Sequence, residues 1–120
     1  MFLTLLNLLC TQLATALRRG PYQTNVLLAG YDTTKEGSKV SLYHMDYLAA
    51  LTEVKFGAHG YCSNFILSIF DRDWQPNMSL EQALEVVRKC LYELKVRFLI
   101  SQPNFVIKLV DAQGTRVLQL

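Results

Sequence analysis

The sequence has no run of basic residues. Its 12 Lys and Arg stand against 10 Asp and Glu, for a net charge of +2, and the only adjacent basic pairs are Arg18-Arg19 and Arg88-Lys89. A protein that binds nucleic acid needs a basic stripe that neutralises phosphates. The sequence therefore predicts that nucleic acid is not a partner.

Cysteine is scarce. The three cysteines, Cys10, Cys62 and Cys90, make an odd number, and their spacings fit no disulfide or zinc framework. We therefore predict reduced, buried thiols in a protein of the cytoplasm and nucleus, with no metal and no cofactor.

Side chains that could act together in catalysis or metal binding are also few. Cys62 as a nucleophile with His44 or His59 as its base would lack a third, orienting group, so packing is the favoured role of Cys62. His44 and Asp46 share one face of a predicted strand, but two ligands do not make a zinc site. Packing or a subunit contact is therefore the favoured role of this pair.

Charged residues are sparse, at 18%, whereas hydrophobic residues make up 51% of the 120. Such a chain is not disordered, and its length suffices for one small domain with one core. For a free-standing domain of this size the apolar fraction is high. We therefore expect apolar surface to be buried against further chain or neighbouring subunits.

Residues 1–9 form an apolar segment that precedes Cys10, as in a signal peptide or a lipoprotein. No Lys or Arg precedes the segment, and it is too short to span a membrane. Leucines continue at helical spacing to Leu17, which favours one helix and predicts no membrane partner. A secreted or lipid-anchored protein remains an alternative.

Hydrophobic periodicity predicts a helix, three strands, two helices and two strands. The ranges are a helix over 3–19, strands over 24–31, 39–46 and 52–59, a helix over 62–71, a long helix opened by Ser79, and strands over 105–110 and 115–118. A polar turn over 32–38 makes the first two strands a hairpin. Gly20 with Pro21, and later Pro103, are predicted to end helical segments.

The long helix carries the strongest local signals. Ser79 and Gln82 form a capping box. The predicted buried stripe is Ala83, Val87, Cys90 or Leu91, Leu94 and Phe98. Lys89, Glu93 and Arg97 place opposite charges four residues apart on the other face. Strands clustered in hairpins favour an antiparallel α+β fold, and the last hairpin needs further strands to pair with.

Several blocks of sequence resemble proteasome β-type subunits, in particular those at the fourth position of the eukaryotic β ring. The blocks, which together span about residues 13–114, are Asn25-Val26-Leu27-Leu28-Ala29-Gly30-Tyr31-Asp32, Tyr43-His44-Met45-Asp46-Tyr47-Leu48-Ala49-Ala50-Leu51, Ala58-His59-Gly60-Tyr61, Ser68-Ile69-Phe70-Asp71-Arg72, Arg88-Lys89-Cys90 and Pro103-Asn104-Phe105-Val106-Ile107-Lys108.

The resemblance implies the αββα sandwich of N-terminal nucleophile hydrolases, in which helices flank two antiparallel sheets. Residues 1–120 would be a single partial domain that starts at the family's second helix and lacks its N-terminal strands and first helix. Residues 1–9 depart from the family pattern, which has a more polar helix start.

The resemblance also implies which catalytic groups to look for. Active members attack with an N-terminal threonine, whereas this chain begins Met1-Phe2 and Thr4 is internal. A Gly-Ser-Gly element of active members corresponds to Ala58-His59-Gly60, so His59 replaces the serine. An Arg-Asp-x-x-Ser-Gly element corresponds to the run from Arg97 to Gln102, so Phe98 replaces the aspartate and only Ser101 is retained. We therefore predict no catalytic residue.

The predicted function is that of a non-catalytic structural subunit of the 20S proteasome core. Its expected partners are neighbouring β subunits, α-ring subunits and the opposite β ring. Tyr47, Tyr61 and Trp74 are candidate interface anchors, with core packing as the alternative, and Asp71-Arg72-Asp73 is predicted to be a solvated helix end or a salt bridge to a neighbour. A catalytic β subunit whose nucleophile segment is missing from this chain is the other alternative.

Overall fold

The computed structural model of the chain describes residues 1–98 and 104–120. Its elements are α1 (Phe2–Ala16), β1 (Val26–Thr34), β2 (Gly37–Met45), β3 (Leu51–Glu53), α2 (Ser63–Asp73), α3 (Leu80–Arg97), β4 (Ile107–Asp111) and β5 (Gly114–Leu118). This order confirms the predicted one, and helices with antiparallel sheets confirm the α+β class. The predictions for Ser101 and Pro103 lie outside the described residues.

The chain forms two compact units. One comprises Met1–Gly57 and Lys108–Arg116, and the other comprises Ala58–Ile107 and Val117–Leu120. Each unit has its own cluster of buried side chains. In the described part of the chain, no helix combines the length and the apolar character that a bilayer crossing requires.

The first unit packs α1 against the sheet β1-β2-β3. Leu6 and Leu13, seven residues apart on one face of α1, are buried against Met45 at the end of β2. This confirms the predicted leucine stripe, with Leu9 packed at its edge. The helix ends at Ala16, so Arg18 and Arg19 lie beyond it and not in its last turn as predicted.

Phe2 fixes the start of α1 on the sheet. An ideal Cβ built on Gly30 would lie 2.3 Å from Phe2 Cδ2, so the ring lies directly on the backbone of β1. The ring centroids of Phe2 and Tyr43 are 5.9 Å apart. Residues 1–9 therefore pack as part of this unit.

The hairpin β1–β2 is longer than predicted. Its antiparallel register runs from Val26↔Met45 to Thr34↔Gly37, and the turn is Lys35-Glu36. The predicted polar turn over 32–38 was therefore wrong. Polar side chains are compatible with the tip of an exposed hairpin, because the backbone pairing supplies the hydrogen bonds whatever the side chains are.

The strand β3 is shorter than predicted. It pairs with β2 from Met45↔Leu51 to Tyr43↔Glu53, and Val54 N adds one hydrogen bond of 2.8 Å to Leu42 O. The prediction of a strand to residue 59 was wrong. An ideal Cβ on Gly57 would lie 2.8 Å from Leu27 Cδ2, so the chain turns onto the side chain of β1 and leaves the edge of β2.

The second unit packs α2 against α3 around Ile69, Val86 and Cys90. The predicted stripe is confirmed at Cys90, whereas Val86 and not Val87 is the buried valine. The other predicted members, Ala83, Leu91, Leu94 and Phe98, are half-buried. The capping box is confirmed: Ser79 N donates to Gln82 Oε1 at 2.9 Å, and Gln82 N donates to Ser79 Oγ at 3.3 Å.

The hairpin β4–β5 is confirmed, with Ala112-Gln113 as its turn. Asp111 Oδ1 accepts a hydrogen bond of 2.8 Å from Gln113 N, and Gly114 has a φ of 99°, which favours glycine. Arg116 pairs with Asp111 across the hairpin. The pairing of this hairpin with further strands stays a prediction.

Candidate functional site

Phe98, which the resemblance aligned with an aspartate, lies at the C-terminal end of α3. Its ring contacts the edges of two others: the centroid of Phe65 is 5.6 Å away at 90°, and that of Tyr61 is 6.0 Å away at 73°. We call Tyr61, Phe65 and Phe98 the aromatic cluster. Edge-to-face pairs of this kind add to the stabilisation from burial alone.

The surroundings of position 98 are aromatic. Phe98 is half-buried, and its backbone N–H donates to Leu94 O at 3.3 Å. A phenylalanine side chain neither accepts a proton nor orients an amine. The position serves packing between the start of α2 and the end of α3.

His59, which the resemblance aligned with a serine, is exposed. It is followed by Gly60, whose φ of 105° makes the backbone there a glycine conformation. Cys62 is half-buried as the residue that precedes α2.

His44 and Asp46 lie at the end of β2 and in the following turn. His44 is paired in register with Leu27 and Thr52. Asp46 Oδ1 accepts hydrogen bonds of 2.9 Å from the backbone of Leu48 and of Ala50, so its carboxylate closes a turn. Within residues 1–98 and 104–120, no three His, Cys, Asp or Glu side chains converge to hold a metal ion.

A groove of about 570 Å³ runs between the second and third helices, and we call it the α2–α3 groove. Its lining combines aromatic, aliphatic and charged side chains: Phe65, Ser68, Ile69, Arg72, Glu85, Arg88, Lys89, Tyr92, Glu93 and Arg97. Phe65 belongs to both the groove and the aromatic cluster. Aromatic and arginine side chains of this kind dominate the energetics of protein interfaces.

Asp73, the last residue of α2, forms an ion pair with α3. It accepts from Arg72 Nε at 2.8 Å and from Lys89 Nζ at 3.0 Å. The hydrogen bonds from Arg72 and then from Lys89 lower the pKa of Asp73 to about 2, and Asp73 in turn raises the pKa of Arg72. The predicted pairing of Lys89 with Glu93 is replaced by this contact, whereas the pairing of Glu93 with Arg97 is confirmed.

The predicted interface anchors differ in exposure. Tyr61 is 94% exposed and Tyr47 is 43% exposed, whereas Trp74 is half-buried. Sequence reasoning missed Tyr92, which is 64% exposed on α3. Its position two residues after Cys90 places it off the buried stripe, and that spacing was the available signal.

The element order and the antiparallel hairpins define an α+β chain. Residues 4–110 match the family model described as "Proteasome subunit". The chain belongs to the proteasome subunit family, which confirms the resemblance found in the sequence. This family forms a threonine-type endopeptidase complex.

The relatives include β subunits from plants, amoebae and yeast. The chain is 50% identical over 105 residues to proteasome subunit beta type-2-A of Arabidopsis thaliana, covering 88% of this chain and 50% of that protein. It is 43% identical to proteasome subunit beta type-2 of Dictyostelium discoideum, over 93% of this chain and 56% of that protein. It is 39% identical to proteasome subunit beta type-4 of Saccharomyces cerevisiae, over 88% and 52%. The chain spans about half the length of these relatives.

Proposed function

We propose that this chain belongs to a non-catalytic structural subunit of the β ring in the 20S proteasome core. The subunit completes the wall of the proteolytic chamber in ubiquitin-dependent protein degradation, while other subunits cleave. The observation that carries the proposal is the contact of Phe98 with Phe65 and Tyr61. The resemblance aligns this ring, which packs against two others, with the catalytic carboxylate of active subunits.

Two further observations support a scaffold role. By the resemblance, His59 stands in place of the serine of the second support element, so both supports that the described residues include differ from the active pattern. Apolar side chains are also exposed on α1 and at the aromatic cluster, for example Leu3 and Tyr61. Exposed apolar surface of this kind marks interaction sites.

The proposed partners are neighbouring β subunits, α-ring subunits and the opposite β ring, in the cytoplasm and nucleus. Partners would cover the exposed leucines of α1, namely Leu3, Leu5 and Leu8. The unpaired thiols Cys10, Cys62 and Cys90 fit a reducing compartment.

The test uses the native gene product with an epitope tag, in cells that assemble proteasomes. We expect it to sediment with 20S particles. We also expect a peptide epoxyketone, which reacts with N-terminal threonines, to label other subunits and leave the tagged one unlabelled. Covalent labelling of the tagged subunit would support a catalytic subunit instead, and absence from the particle would refute the scaffold role.

A substitution at position 98 tests the observation itself. Phe98→Asp places a carboxylate against Phe65 and Tyr61, so we expect reduced incorporation into particles and no epoxyketone labelling. Phe98→Leu keeps an apolar side chain and serves as the matched control, with near-normal incorporation. Labelling gained by Phe98→Asp would overturn the proposal.

A further inference from the structure

The contact between α1 and the sheet β1-β2-β3 has an apolar centre. Leu6, Leu13 and Met45 are buried there, and Phe2 lies on the backbone of β1 at Gly30. The helix α1 carries no charged side chain, so no ion pair holds it in place. Its attachment to the sheet therefore depends on burial of apolar area, which is the same whichever copy of the chain supplies the helix.

The linker from α1 to β1 has the features of a hinge. Residues 20–24 form neither helix nor strand and are exposed, and Tyr22 is 58% exposed. Pro21 fixes its own φ and disfavours a helical conformation of the residue before it, so the linker does not continue α1. Thr24 N donates to Tyr22 O at 2.8 Å, a local bond that does not depend on where α1 lies. The linker can therefore redirect α1 without uncovering buried side chains of its own.

An apolar contact and an exposed hinge together make α1 an exchangeable element. When α1 leaves its sheet, it uncovers Leu6 and Leu13 on the helix and Met45 on the sheet. A second copy that opens in the same way presents the same two surfaces. Each helix can then cover the sheet of the other copy with the contacts of the closed chain, so no new complementary surface is needed.

We propose that two copies of this chain form a dimer by exchanging α1, with residues 20–24 as the hinge. The occupant of each sheet is the α1 of the other copy. The closed monomer prevails at low concentration, because a short linker holds α1 near its own sheet at an effective concentration on the order of millimolar. The dimer forms at high protein concentration and dissociates slowly, since each helix must first expose its apolar face to water again.

A disulfide across the contact tests the exchange directly. Cys10 Sγ on α1 lies 3.7 Å from Met45 Sδ on β2, so Met45→Cys places two thiols at this contact. The full chain with Met45→Cys is concentrated to about 1 mM, near the effective concentration of the linker. Its monomer and dimer are then separated by gel filtration and oxidised with copper phenanthroline.

We expect the oxidised dimer fraction to run as a covalent dimer on a non-reducing gel, and the monomer fraction to run as a monomer. Only the exchange puts position 10 of one copy beside position 45 of the other. Cys10→Ala combined with Met45→Cys is the matched control, because it keeps Cys62 and Cys90 and lacks the thiol on α1. This double variant should give no covalent dimer.

A rate measurement keeps the test decisive if Met45→Cys does not fold. The dimer of the original chain is isolated and diluted to about 10 μM, far below the effective concentration of the linker, and its return to monomer is followed by gel filtration. Leu6→Ala weakens the same contact in monomer and dimer. It should therefore speed the return by about tenfold or more and leave the equilibrium dimer fraction within about twofold.

Leu8→Gln is the matched control for the rate, since Leu8 lies on the same helix and is 56% exposed. It takes no part in the buried contact and should leave the rate of return within about twofold of the original.

Three results would overturn the proposal. One is an oxidised dimer fraction that runs as a monomer on the non-reducing gel, because association through surface leucines keeps each disulfide within one chain. Another is a rate of return that Leu8→Gln changes and Leu6→Ala does not. The third is the absence of a slowly dissociating dimer at about 1 mM. Incorporation into 20S particles is measured separately, so this proposal and the proposed function can fail independently.

Discussion

Single residues decide how the second unit responds to acid, and Asp73 is the main example. It is the last residue of α2 and accepts hydrogen bonds from Arg72 and from Lys89 on α3. These bonds lower its pKa from 3.8 to about 2. Because the folded state favours the ionised carboxylate, its contribution to stability is full above the ordinary pKa.

We predict that this contribution is lost as the pH falls from about 4 to about 2, through the lowered pKa of Asp73. The original chain should lose more stability over that range than Asp73→Asn, which has no carboxyl group there to protonate. The measurement is urea unfolding followed by fluorescence of Trp74, at a series of pH values.

Asp71→Asn is the matched control for this prediction, since Asp71 lies two residues earlier on the exposed face of α2. It should keep the pH slope of the original chain. Identical slopes for the original chain and Asp73→Asn would show that the pairs with Arg72 and Lys89 do not couple to folding, as is common for exposed ion pairs.

Of the ion pairs on α3, some can be predicted from spacing along the chain and others cannot. The pair Glu93–Arg97 was predictable because residues four apart meet on a helix. The pair Asp73–Lys89 was not, because the residues are 16 apart and meet only when α2 packs on α3. The preference of Lys89 for Asp73 over Glu93 is a consequence of that packing.

At the scale of elements, the capping box of α3 has the most local cause. Both reciprocal hydrogen bonds between Ser79 and Gln82 are present. The N–H groups of a first turn have no partner inside the helix, so the cap satisfies donors that would otherwise depend on water.

We predict that Ser79→Ala lowers the free energy of unfolding by about 1 kcal/mol. Ser79→Asp keeps an acceptor at the cap and adds a negative charge at the helix N-terminus, so it should restore most of the loss. Thermal melts followed by circular dichroism measure both. Loss of equal size in Ser79→Ala and Ser79→Asp would mean that the cap hydrogen bond is not the cause.

The ends of two strands, β1 and β3, were predicted wrongly. Periodicity located every strand, yet it ended β1 too early and extended β3 too far. Thr33 and Thr34 belong to β1 because Ser38 and Gly37 pair with them across the hairpin. After Val54 the chain leaves the sheet and Gly57 packs on Leu27, a contact between residues 30 positions apart that no local pattern records.

At the scale of the whole molecule, the chain leaves large apolar side chains exposed. On α1 alone, Leu3, Leu5 and Leu8 are between 46% and 59% exposed, whereas Leu6 is only 2% exposed. The outer strands β1 and β3 of the three-stranded sheet add sheet edges. Exposed apolar patches and unpaired edges drive association between copies of a chain.

We predict that the isolated chain self-associates as its concentration rises. Leu8→Gln should shift it toward the monomer without loss of helix, because Leu8 is 56% exposed. Leu6→Ala should lower the stability of the unit by about 2–5 kcal/mol, because it opens a cavity beside Met45. Sedimentation velocity and circular dichroism separate the two effects. A soluble monomer with a sharp, reversible melt would contradict the prediction.

The element order, the α+β class, the family and the cap of α3 could all be predicted from the amino-acid sequence alone. These features follow from spacings of a few residues or from contiguous blocks. The packing of Phe98 with Tyr61 and Phe65, and the contact of Asp73 with Lys89 that joins α2 to α3, became known only from the folded structure. The physical reason is that burial and ion pairing depend on distances in space between residues far apart in the chain, whereas periodicity records only neighbours along it.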